Sequence, residues 1–123
     1  MVKEDMKSFS DYIYYLDKEV SDKIAIDFAL IDQCGFYELY QYKIDKTFWR
    51  LDKADKYQVQ FLVRMESLDD WVNFDSRNLE MSLLLKTRGN SIKKCIWAGC
   101  GRISLQRLVY CELHAYLEMG VRK

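Results

Sequence analysis

The chain reads as an α+β protein: an N-terminal helix packed on an antiparallel β-meander, then a small C-terminal knuckle that ends in a helix. Three observations predict this. Ile13, Leu16 and Val20 recur at helical spacing near the N-terminus, residues 57–66 alternate apolar and polar side chains, and the last quarter gathers cysteine and histidine at close spacing. The first pattern suits one buried helix face; the second suits a strand whose successive side chains face opposite sides.

The elements follow in order. A helix is expected over residues 10–20, where Ser8 or Ser10 can cap it by accepting from an N–H of the first turn. Ser21-Asp22 interrupts it. Ile24, Ile26, Phe28 and Leu30 then alternate with Ala25, Asp27, Ala29 and Ile31, which favours a strand, a helix ending at Gly35 being the alternative. Phe36, Tyr40, Tyr42 and Ile44 fall on one face of an extended segment closed by Asp45-Lys46. Residues 48–51 form a short second strand, and 52–56 a polar turn. In the next strand Tyr57, Val59, Phe61, Val63 and Met65 point one way and Gln58, Gln60, Arg64 and Glu66 the other, with Leu62 out of step. Residues 67–71 read as a turn or short helical segment. Leu79, Met81, Leu83 and Leu85 alternate as a strand does, while Leu83-Leu84-Leu85 also suits a helix starting near Ser76. Turn residues cluster at Gly89-Asn90-Ser91, which divides an acidic body, 1–89, from a basic module, 90–123. A last helix is expected over about 108–119, with Gly120 as its C′ residue.

Composition narrows the class. A chain of 123 residues suits one domain, or one body with a small appendage, and buries roughly two-thirds of its extended surface. Half the residues are hydrophobic, so disorder is excluded. No apolar run approaches the ~20 residues of a transmembrane helix, and no membrane partner is expected. The charged start, with Lys3, Glu4, Asp5 and Lys7, lacks the apolar segment of a secretory signal. A cytoplasmic location is expected, where thiols stay reduced and open to metal. The net charge of zero hides a division: 11 Lys+Arg against 17 Asp+Glu through Leu85, a net of −6, and 8 against 2 from Lys86 onward, a net of +6. The basic tail points to an anionic partner, or the two halves dock on each other.

Cys95, Cys100, Cys111 and His114 form a C-x4-C-x10-C-x2-H arrangement that uses the one histidine in the chain. Three thiolates and an imidazole complete the ligand set of a closed structural zinc site, so Zn²⁺ is expected as a structural cofactor. Ala98-Gly99 lets the chain turn between the first two thiols, and Gly101 is expected to take an unusual φ after the second. Cys111 and His114, three apart at the start of the last helix, project from one face. Binding of this kind contributes on the order of 10 kcal/mol to folding. Buried core cysteines and disulfides are the alternatives, the latter disfavoured by the cytosol. Cys34, remote in sequence, is expected to be a small buried hydrophobe.

The segment from Cys95 through Cys100-Gly101-Arg102 to Tyr110-Cys111, His114 and Tyr116 resembles the short C-x3-G-C…C-x2-H knuckle of bacterial and phage proteins, HNH-type endonucleases among them. The resemblance covers roughly 25 residues and implies Cys95, Cys100, Cys111 and His114 as zinc ligands. The chain departs from the endonuclease pattern because it has no second histidine for catalysis. With His114 committed there is no Cys-His or Ser-His pair, and no glycine-rich phosphate loop occurs. Asp69-Asp70, or Asp75 with Glu80, can be drawn as carboxylate pairs, but surface solvation explains them. No enzyme is expected.

Two binding functions remain. In size and composition the acidic body is similar to small bacterial toxin-immunity proteins. That implies an inhibitor of a basic, nuclease-type protein partner, with Asp69, Asp70, Trp71 and Asp75 as contacts. The alternative is nucleic-acid binding by the knuckle: Lys86, Arg88, Lys93, Lys94, Arg102 and Arg107 would meet phosphate and Trp97 would stack on a base.

Overall fold

The structure, a computed structural model, describes residues 9, 11–53 and 59–123. It is α+β, with a five-stranded antiparallel sheet and three helices, the last one C-terminal. The chain forms two compact units, Met1–Asp75 and Ser76–Lys123. Among the described residues no helix is long and apolar enough to cross a membrane.

The first unit contains β1 (Ile13–Tyr15), α1 (Lys18–Asp27), β2 (Phe28–Cys34), β3 (Tyr37–Tyr42), β4 (Phe48–Asp52) and β5 (Phe61–Met65), followed by a 3₁₀ turn at Trp71–Asn73. The sheet order is β1-β5-β4-β3-β2, so β2 to β5 form a meander and β1 closes it beside β5. The first helix starts later than its apolar spacing suggests. Ile13-Tyr14-Tyr15, rich in strand-forming side chains, pairs with Val63, Leu62 and Phe61 instead. Asp17 is the actual N-cap, its carboxylate accepting the Val20 N–H at 2.8 Å. Ser21 and Asp22 therefore lie inside the helix, and Ile24 and Ile26 belong to it and not to the expected strand. Ser8 and Ser10, the expected caps, lie outside the described residues, as does Tyr57.

Both faces of the sheet are covered, which explains Leu62. On one face Phe9, Ile24, Phe28, Tyr42, Trp49, Leu51 and Leu62 form a core, with Leu16 and Val20 of the helical region against it. Phe9 sits edge-on to Tyr14, Phe28, Tyr42 and Trp49 at centroid distances of 5.1 to 5.8 Å, arrangements that suit the ring quadrupoles. The opposite face carries Ile13, Leu39, Phe61, Val63 and Met65, all buried, and Arg50. Leu62 thus breaks the alternation in β5 because that strand is packed on both sides, not half-exposed.

The second unit contains α2 (Arg77–Arg88), β6 (Asn90–Lys94), β7 (Ile103–Leu105) and α3 (Glu112–Leu117). Residues 77–88 take the helical alternative, starting just after Ser76. Leu84 packs with Leu105, Ala115 and Tyr116 in a core of their own. That burial groups α2 with the second compact unit, which begins at Ser76. Gly89, at φ 74°, turns the chain from α2 into β6. The last helix is shorter than expected: residues 108–110 are a turn, Cys111 is the N-cap residue, and Gly120 follows with φ 72°. Cys34 is exposed at the end of β2, not buried.

Candidate metal centre

The β6–β7 hairpin and α3 bring the four candidate ligands together. Cys95 follows β6 directly, and its N–H donates to the Arg102 carbonyl at 2.9 Å, closing the loop that carries Cys100. Within that loop Cys100 N–H donates to the Trp97 carbonyl at 3.0 Å, and Gly99 takes a φ of 79°. A Cβ is disfavoured at that φ, so glycine is needed at 99; Gly101 has no positive φ, contrary to the expectation for it. Ile96 N–H donates to the Val109 carbonyl at 3.0 Å, tying the loop to the segment that delivers Cys111. Cys111 then caps α3 and places His114 one turn along.

The four ligand atoms all lie within 4.8 Å of one another and could hold a metal ion. His114 offers Nδ1, 3.5 Å from the Cys95 sulfur and 3.3 Å from that of Cys111. The Cys100 and Cys111 sulfurs are 3.8 Å apart. A tetrahedral ion at about 2.3 Å from sulfur and 2.0 Å from nitrogen sets S···S edges of about 3.8 Å and S···N edges of about 3.5 Å. The three short edges lie close to these values, and the donor set could hold such an ion.

The protein also prepares the charge. Burial acts to raise the Cys95 thiol, but N–H groups of Cys111 and Trp97 and the side chains of His114 and Cys100 bring it down to about 6. Cys111 moves the other way. Burial raises it and the neighbouring sulfurs add to the rise, against the N–H groups of His114 and Leu113. Of these two, Cys95 is the one held toward thiolate, the form that ligates. Trp97 lies flat on the His114 ring, with centroids 4.8 Å apart and planes at 12°. It buttresses the imidazole from one side, a role outside the ligand set that fixes ring orientation.

The remaining candidates are scattered between the units. In the second, Lys93 and Lys94 are exposed on β6 and Arg107 on the turn after β7. Arg102 is engaged with Glu112 at 3.0 Å, and Arg88 donates to the carbonyls of Gln106 and Lys123. Trp97 has one ring face against His114 and is 39 % exposed. In the first unit Asp69, Asp70 and Asp75 are exposed, but Trp71 is buried and serves packing.

Arg50 is a buried charge that the sequence does not single out. It is 2 % exposed, and its Nη1 donates to the carbonyls of Trp71, Val72 and Phe74 at 3.2, 3.3 and 2.9 Å. Its guanidinium lies 4.5 Å from the Tyr37 ring centroid. One charged side chain thus anchors the backbone next to the acidic residues. The only trace in the sequence is a charge within the apolar run Phe48-Trp49-Arg50-Leu51. Comparison of the chain with protein-family models and with curated proteins, and of its structure with solved structures, finds no match.

Proposed function

We propose that this chain is a zinc-stabilised binding protein, not an enzyme, whose acidic first unit engages a basic protein partner in the manner of bacterial toxin-immunity inhibitors. The observation that carries this reading is the Arg50 anchor: it holds the backbone of 71–74 so that Asp69, Asp70 and Asp75 are presented on a pre-ordered stretch. Pre-ordering lowers the entropic cost of association, and carboxylates steer a basic partner toward the surface. The ligand geometry supports zinc over other metals, because thiolate-rich tetrahedral sites favour it. A closed Cys3His set leaves no coordination position for substrate, and the single histidine belongs to it.

The test is capture from cytosol with the wild-type chain and with an Asp69→Lys/Asp70→Lys/Asp75→Lys variant. A basic protein retained by the first and lost by the second supports the reading. Equal capture by both would sink it.

The second reading, nucleic-acid binding by the second unit, is favoured by exposed Lys93, Lys94 and Arg107 near half-exposed Trp97. It is weakened by the engagement of Arg102 with Glu112 and of Trp97 with His114. Titration of a labelled single-stranded oligonucleotide at rising salt separates the two, since phosphate contacts weaken steeply with salt.

A further inference from the structure

Ile92 is 97 % exposed, and a β-bulge puts it there. In the hairpin Asn90 faces Leu105 and Lys94 faces Ile103, so Ser91, Ile92 and Lys93 stand opposite Ser104 alone. The bulge is cross-tied. The Ser91 and Ser104 hydroxyls are 2.7 Å apart, Ser91 Oγ accepts the Lys93 N–H at 3.0 Å, and Ser104 Oγ donates to the Lys93 carbonyl at 3.1 Å. Ser104 itself is buried. Bulges of this kind re-aim a side chain, and these bonds hold the aim. A lone exposed isoleucine is ordinary. This one helps line a hollow of about 690 Å³, together with Val109, Tyr110, Met119, Lys93 and Arg107.

We infer that this hollow docks an acidic segment of another protein, with a bulky apolar side chain entering beside Ile92 and carboxylates meeting Lys93 and Arg107. Charge complementarity selects that occupant. The unit carrying the hollow has nine Lys+Arg against three Asp+Glu, and the two charged side chains that line it, Lys93 and Arg107, are cationic. The apolar lining supplies affinity and these two cations supply the sign. This surface lies on the other unit from Asp69, Asp70 and Asp75 and prefers the opposite charge, so it goes beyond the acidic-unit reading.

Fluorescence anisotropy of a short fluorescein-labelled peptide alternating Glu with Leu and Phe, titrated with the zinc-loaded full chain, tests the inference. Saturable binding is expected, and Ile92→Asp should weaken it by about tenfold or more. A Lys93→Glu/Arg107→Glu variant should lose the Glu peptide and gain one carrying Lys in its place. Zinc content of each variant, expected unchanged, separates a lost surface from a lost fold. The inference is overturned if the Glu peptide fails to bind, or if wild type binds the Glu and Lys peptides equally. It is also overturned if Ile92→Asp binds as wild type, or if phosphatidylserine vesicles, a single-stranded oligonucleotide or a second copy of the chain occupies the hollow in preference to the peptide. The Asp69/Asp70/Asp75 variant should bind the peptide unchanged, so failure here and failure of the acidic-unit reading are told apart.

Discussion

Trp97 and His114 stack face to face, 4.8 Å between centroids and 12° between planes, so the indole braces the ring that offers Nδ1 to the metal centre. Outer-shell partners that fix a ligating imidazole by hydrogen bonds are typically worth about tenfold or more in metal affinity, and a stacked indole restrains the same ring. Trp97→Ala should keep one zinc per chain in native mass spectrometry but release it to a competing chelator at about tenfold lower concentration. Unchanged competition would remove Trp97 from the metal centre.

Thiol reactivity should sort the cysteines. Cys34 is exposed and does not belong to the cluster that Cys95, Cys100 and Cys111 share. With zinc bound, a maleimide should label one thiol per chain rapidly, and Cys34→Ser should abolish that label. The same substitution should change stability by no more than about 0.5 kcal/mol, as surface changes do. Rapid labelling of several thiols in the zinc-loaded protein would contradict the ligand set.

Arg50→Met keeps bulk but leaves the carbonyls of Trp71, Val72 and Phe74 without this donor. Orphaned buried polar groups cost about 1–3 kcal/mol each when nothing replaces the bond, and water reaches some of these. A loss of about 3 kcal/mol in urea unfolding is expected, with faster amide exchange across 69–75. Wild-type exchange in that stretch would show that Arg50 does not order it.

Leu84→Ala tests the core under the metal centre. Leu84 is fully buried against Leu105, Ala115 and Tyr116, and Ala115 adjoins His114. A cost of about 2–5 kcal/mol is expected, with weaker zinc retention, because metal binding and folding are linked. Full stability with normal zinc retention would detach α2 from this unit.

Alkaline pH should act through Tyr40 and Tyr116 and, by burial, through Tyr42 as well. Burial, then the Glu38 carboxylate bonded to its hydroxyl at 2.8 Å, pushes Tyr40 up to about 12. Burial and a bond to Glu80 at 2.6 Å raise Tyr116 as well. Both folded values exceed the ordinary 10.0, so their stabilisation is complete below pH 10 and, for Tyr40, is lost as pH rises through about 12. Tyrosinate absorbance should show a late phase that Tyr40→Phe and Tyr116→Phe diminish. A single transition near the ordinary value would refute it.

Apolar pattern located the strands of the meander better than the helices. Phe61–Met65 lies within the segment where alternation placed a strand, because that period is built into the extended backbone, and Phe48–Asp52 covers the short run expected at 48–51. Ile13-Tyr14-Tyr15 misled, since the same side chains satisfy a helix face or a strand edge. The pairing with Phe61–Val63 chose between them. Leu79 to Leu85 was ambiguous for the same reason, and helical packing of Leu84 with Leu105, Ala115 and Tyr116 resolved it.

The cluster of Cys95, Cys100, Cys111 and His114 that could hold a metal ion was legible from residue chemistry alone, because three thiols and one imidazole at compact spacing form a metal-ligand set. The α+β class was legible too, from periods that local backbone geometry imposes. Long-range neighbours are another matter. That Trp71 is buried, that Arg50 reaches three carbonyls more than twenty residues away, and that Ser104 locks Ile92 outward depend on partners remote in the chain. Local sequence carries no term for contacts that form only when distant strands and turns are brought together, so those relationships belong to the folded structure.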